Sequence, residues 1–124
     1  MADVADAQES ASAAAAEALI TNDMIMRVWR AYAPPANAEA YQQMIATEVL
    51  PGYHRFAGYR GTHILRREAN GEVEFVIITM WESWEAVEEF AGPGHKKAVI
   101  WPKAAALLTR YDDESIHYEG TWVP

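Results

Sequence analysis

The sequence predicts an α+β fold of the ferredoxin-like kind, a four-stranded antiparallel sheet with helices on one face. Three observations lead there. Segments follow one another in the order strand, helix, strand, strand, helix, strand. Asn70-Gly71 separates the two middle strands by a pair of residues that a tight hairpin turn favours, because the turn needs positive φ at its centre. The third is the run Phe75-Val76-Ile77-Ile78-Thr79-Met80-Trp81, which is greasy on both of its alternate faces. A sheet covered on one side only normally alternates apolar and polar residues. The run therefore predicts that the second face is covered too.

Each element has its own signal. Met24–Ala33 is rich in β-branched and aromatic residues and reads as the first strand, ended by Pro34-Pro35. Asn37 is the expected N-cap of a helix running to about Leu50, with Tyr41, Met44, Ile45 and Val49 at helical spacing. Pro51-Gly52 marks its end, and the connector Tyr53-His54-Arg55-Phe56 leads into strands Tyr59–Glu68 and Glu72–Trp81. Ser83 is the expected cap of a helix Trp84–Phe90, with Glu85 in the first turn complementing the dipole. Gly92-Pro93-Gly94 breaks that helix. His95–Ile100 and Lys103–Leu108 read as short helical pieces separated by Pro102, and Ser115–Trp122 as the closing strand.

The organisation expected is an N-terminal arm over residues 1–23 and one domain over 24–124. The arm holds nine alanines in its first twenty residues, five acids and no base, and offers little to bury. Once 24–124 is folded, no segment remains to form another layer. The covering expected for the second sheet face is a second copy of the chain, packed sheet to sheet as a homodimer. A net charge of −8 without a basic cluster speaks against nucleic acid. No apolar run is long enough for a membrane span. The absence of cysteine excludes disulfides and, with no export signal read at the acidic N-terminus, fits a cytoplasmic protein. No metal-ligand spacing and no phosphate-binding loop stands out, so no cofactor is expected.

Glu74 to Ala86 with Phe90, the run Gly58-Tyr59-Arg60-Gly61-Thr62 and the ending His117-Tyr118-Glu119 resemble the antibiotic biosynthesis monooxygenase (ABM) domain family, of the dimeric α/β-barrel group. The resemblance covers roughly residues 24–120. It implies a ferredoxin-like subunit, a dimer whose sheets form a barrel, and a pocket between sheet and helices. Quinone-forming members oxidise anthrone-like or hydroquinone-like aromatics with O2 and neither metal nor flavin. They join the Trp of the strand-to-helix turn, here Trp81, to an Asn four residues earlier and a Tyr six residues later. This chain has Ile77 and Val87 there. Haem-degrading relatives place a second Trp at the position of Phe90, a ligating His near Ile100 and an Asn at Trp29 or Arg30.

The function expected is cofactor-independent monooxygenation of a small aromatic or polycyclic compound. The alternatives are a non-catalytic or stress-response dimer that binds a hydrophobic small molecule, and a haem-binding or haem-degrading protein. Oxygenation without a cofactor needs a substrate anion held by aimed donors in a dry cavity. The expected catalytic residues are Trp81, His63, His117 and Arg27, with Arg30 a further cation on the first strand. Arg27 alternates with Trp29, and His117 with Ser115, so one sheet face can carry both polar groups. The expected pocket takes Trp29 and Trp84 (with Trp101) as aromatic walls. Ile77, Val87 and Phe90 enter at the template positions, and Tyr53 and His54 from the connector. Plain hydrogen-bonding or rim roles for each His, and ion pairing with acids such as Glu74 for the arginines, remain open.

Overall fold

The computed structural model describes residues 21–124. The expected arm over 1–23 lies, up to residue 20, outside the described residues, and strand β1 (Thr21–Ala33) already begins at Thr21. After β1 the chain forms helix α1 (Pro35–Met44), strands β2 (Tyr59–Ala69) and β3 (Glu72–Trp81), and helix α2 (Trp84–Ala91). A short helix α3 (Pro102–Ala105) and strands β4 (Arg110–Tyr111) and β5 (Ile116–Trp122) follow. The sheet is antiparallel, ordered β2-β3-β1, with β4 and β5 pairing successive stretches of β1 at the far edge. It thus has five strands where four were expected.

Several local signals act as chemistry requires. Asn70 and Gly71 take φ of 53° and 78°, the left-handed pair that turns β2 into β3. Ser83 accepts a hydrogen bond at Oγ from Ala86 N at 3.1 Å and so caps α2. α2 sits tight against the turn before β2. A Cβ on Gly58 would lie 2.3 Å from the Cβ of Ala86, so only glycine allows that approach.

Other expectations are corrected. Asn37 does not cap α1: the helix starts at Pro35, proline being preorganised for a first turn, and the Asn37 amide donates instead to Leu107 O at 3.2 Å. The α-helix stops at Met44, yet the chain stays coiled as a π turn over Ile45–Val49 and a 3-10 turn over Leu50–Arg55. Pro51 falls at the start of that second turn, where a missing N–H costs nothing. His95–Ile100 is not helical. Gly92, Gly94 and His95 all have positive φ, and the loop adds a bridge from Lys97 to Glu114.

All helices lie on one face of the sheet. β3 buries Val73, Phe75, Ile77, Thr79 and Trp81 on that face, while residues 72, 74, 76, 78 and 80 are only half-buried on the other. One core cluster packs Tyr41 edge-on to Phe75, ring centres 4.9 Å apart. Complete burial of Phe75 contributes roughly 2 kcal/mol. The second cluster gathers Tyr53, Tyr59, Ala86 and Val87 around Trp81. Among the described residues no helix is long and apolar enough to cross a membrane.

Candidate functional site

A cleft opens between the helix-covered face of the sheet and the coiled connector. Its floor is Trp29 on β1 with Ile77 and Thr79 on β3; its roof is Tyr53 with Val99 and Trp101 of the second loop. Its other end is lined by Arg27, Phe90 and Ser115. The larger part has an internal cavity of about 60 Å³ and opens to solvent. Alternation along β1 and β5 places Arg27 and His117 side by side on this face, as a registered cross-strand pair.

Arg27 is the unusual member. It is 4 % exposed, and among the described residues none of its hydrogen-bond partners carries a negative charge. Its guanidinium donates to His95 O at 2.5 Å and Lys97 O at 2.8 Å, which ties down the loop after α2. A third N–H points at His117 Nε2, 3.0 Å away. Burial lowers the Arg27 pKa to about 10, so it remains a cation at neutral pH. A buried cation without a counter-ion is costly, and the cost falls when an anion arrives.

His117 serves that cation. A guanidinium only donates, so Nε2 accepts and the ring proton resides on Nδ1. Burial first, then the charges of Arg27 and His95, push its pKa down to about 4. The ring is wedged between Trp84 at 5.6 Å and His95 at 5.0 Å, edge to face with the latter. Its free lone pair is already committed, so it is not a base toward the cleft.

Trp81 is wholly buried, and Tyr53, Phe56, Tyr59 and Phe90 surround it with ring centres 4.8 to 6.4 Å away. It does not line the cleft. Its indole N–H donates to Thr79 Oγ1 at 2.8 Å, and Thr79 does line it. Trp101 treats Tyr53 similarly, donating to the phenol oxygen at 3.0 Å. Burial raises the Tyr53 pKa, which keeps that phenol protonated.

The cleft thus brings together Arg27, Trp29, Ile77, Phe90 and Tyr53 of the expected set, with His117 directly behind. The remaining members sit elsewhere. His63 is exposed on the opposite sheet face, across from Ile78. His54 is exposed and rests against the Tyr59 ring at 5.2 Å. Val87 is completely buried beneath α2 and packs in the core. Trp84 stands at the outer side of His95 and His117, 37 % exposed. Arg30 is exposed on the far face of β1. Thr79 and His95 escaped the sequence reading. Thr79 had a signal, as the only polar residue in the run from Phe75 to Trp81; His95 had none beyond its glycine-rich surroundings. Among the described residues no group of three or more His, Cys, Asp or Glu is placed to hold a metal ion.

Three solved structures share this fold. A candidate antibiotic biosynthesis monooxygenase from Nitrosomonas europaea superposes with a TM-score of 0.56 at 12 % identity, over 81 % of this chain and 92 % of its own. A second candidate of that description, from Bacillus cereus, gives 0.56 at 16 % identity over 78 % and 92 %. A variant of SnoaB, a cofactor-independent oxygenase from Streptomyces nogalater, gives 0.52 at 24 % identity over 81 % and 91 %. No curated protein matches the sequence. The family model described as antibiotic biosynthesis monooxygenase matches residues 24–100, well over half the chain, and the protein belongs to that family.

Proposed function

We propose that the protein is a cofactor-independent monooxygenase that binds a phenolic or enolic polycycle as its anion and oxidises it with O2. The observation that carries this reading is Arg27, a buried cation with no carboxylate partner among the described residues, at one end of an aromatic cleft. An electron-rich aromatic anion satisfies both walls and charge.

The reaction needs no electron from the protein. The bound anion passes one electron to O2, the resulting radical and superoxide combine, and the peroxide loses water. A ring methylene plus O2 becomes a ketone plus water, with the substrate supplying all the electrons. The cleft offers no evident base. His117 Nε2 is taken by Arg27, and Tyr53 is a protonated phenol. The site therefore selects the anion, and the proton leaves to solvent before the substrate is enclosed. Arg27 holds the developing charge, and the apolar walls exclude water from the radical pair.

O2 uptake with a panel of anthrones and naphthohydroquinones tests the reading. Catalysed uptake is expected, with kcat/KM rising along the ionisation of each substrate rather than along a common imidazole titration. Uptake no faster than background across the panel would overturn it. A second reading, a non-catalytic holder of the same anion, is favoured by one observation. Ile77, at the position where quinone-forming relatives carry a polar group, presents only hydrocarbon to the cleft.

We also infer a homodimer joined through the outer sheet face. Met26 and Val28 on β1, with Val76, Ile78 and Met80 on β3, form a half-buried apolar field there. Leu65, Ile116 and Tyr118 flank it at 49 %, 50 % and 55 % exposure, so the apolar surface continues from the sheet centre to both edges, the pattern of an interaction face.

A further inference from the structure

The hydrogen bonds of the two cleft hydroxyls run in a direction that fixes what they do next. An indole N–H has no lone pair to offer and donates only. Thr79 Oγ1 therefore accepts from Trp81, and the Tyr53 phenol oxygen accepts from Trp101. Each hydroxyl keeps its own proton to give away. Among the described residues neither hydroxyl donates to a protein acceptor, and both groups line the same end of the cleft as Arg27. Thr79 lies on β3 opposite Arg27 on β1, in register.

We propose that the Thr79 and Tyr53 hydroxyls are ligand-binding donors aimed at the oxyanion beside Arg27, with Trp81 and Trp101 positioning them from behind. This rests on the reading that an aromatic oxyanion occupies the cleft, and it gives Trp81 a different task from stacking on the ligand. The indole is walled off from the cleft by its aromatic neighbours and acts through Thr79 alone. The site then presents a guanidinium and two hydroxyl protons to one oxygen, and the fixed positive charge favours the anion over its neutral parent. Two donors beside the guanidinium also favour a ligand with a second acceptor oxygen close to the first, such as a phenolate flanked by a ring carbonyl.

The test is binding of 1,8-dihydroxyanthraquinone, whose ionisation is visible by absorbance and which needs no turnover to be read. Wild-type protein is expected to bind its anion preferentially and so lower its apparent pKa. Thr79→Val, nearly isosteric, should weaken anion binding about tenfold relative to the neutral form, and Tyr53→Phe should act similarly. Thr79→Ser should restore the wild-type value. Trp81→Phe should match Thr79→Val, and the double variant should be no worse than Thr79→Val alone, because Trp81 acts through the hydroxyl that is missing. A Trp81 that mattered only to core packing would instead add its loss in full, and that result overturns the relay. An unchanged dye pKa in folded Thr79→Val and Tyr53→Phe overturns the donor assignment. The outcomes separate the two proposals. Lowered dye pKa with hydroxyl dependence but no O2 uptake retains the donors and removes the oxygenase; uptake without hydroxyl dependence does the reverse.

Discussion

Ile77 and Ile78 are neighbours in the chain and face different chemistry. Ile77 points under the helices, where the surroundings include a cation without a counter-ion, two hydroxyls held by indoles and a ring of aromatic side chains. Ile78 points to a face of methionine, valine and leucine, with ion pairs confined to one end, Arg67 with Glu74 at 3.0 Å and Arg110 with Glu72 at 3.2 Å. Both faces are apolar by composition. The inner one is specialised by a few polar groups whose bonds leave donors unspent, whereas the outer one carries two carboxylates each paired to an arginine and an Arg30 that is open to solvent. Polarity that satisfies itself is structural; polarity left open marks a place for a ligand.

The largest expected effect breaks the inner face. Arg27→Met should lower kcat/KM by roughly 10²- to 10³-fold, the scale of losing one preorganised stabiliser of developing charge. Stability should change by less than about 2 kcal/mol, since an apolar side chain replaces an uncompensated buried charge. Urea unfolding beside O2-uptake kinetics measures both, and an equal collapse of the two would return Arg27 to a structural role. Next comes the outer face. Ile78→Lys should raise the dissociation constant of the dimer at least about a hundredfold by placing an unpaired charge in an apolar interface. Light scattering behind size exclusion reads this directly, and an unaltered dimer would place the contact elsewhere.

A smaller effect follows from His117. Its folded pKa, near 4, lies below the ordinary 6.5, so the unfolded chain binds the proton more readily. Stability should hold steady above about pH 6.5 and decline as the pH falls toward 4, and the portion of that decline due to His117 should vanish in His117→Gln. Thermal melts at a series of pH values would show it; a decline of the same size in His117→Gln contradicts the assignment. The smallest effect sharpens the inner layer. Ser83→Ala should cost about 1 kcal/mol by uncapping α2, without changing the dimer.

Much of this contrast is legible in the sequence because β3 writes its two faces in strict alternation, and because Asn70-Gly71 and Ser83 fix its ends. Arg27 and His117 share a face by the same count. β2 defeats the count. The pairing slips between Tyr59, opposite Trp81, and Gly61, opposite Met80. Counting by twos from buried Tyr59 sends His63 inward; the extra residue sends it out and turns Thr62 toward Thr79 instead. His95–Ile100 departs from its helical residue pattern for a different reason: it follows Gly92 and Gly94, both at positive φ, and His95 itself takes φ of 43°. The roles of Thr79 and Tyr53 depend on which indoles reach them across the fold, and no local pattern records that.

The slip in β2 has a consequence for descent. Gly61, at φ 114°, accommodates one surplus residue in an otherwise regular ladder. Losing a single codon there would remove the surplus, and strict alternation would then place Tyr59 and Thr62 on one face with the pairing from Thr62 to Ala69 unchanged. Thr62 and Ile64 would stay under the helices, while His63 and Leu65 would stay on the outer field. The bulge thus lets the strand vary in length by one residue, and a lineage can gain or lose it while ligand pocket and subunit contact keep their side chains.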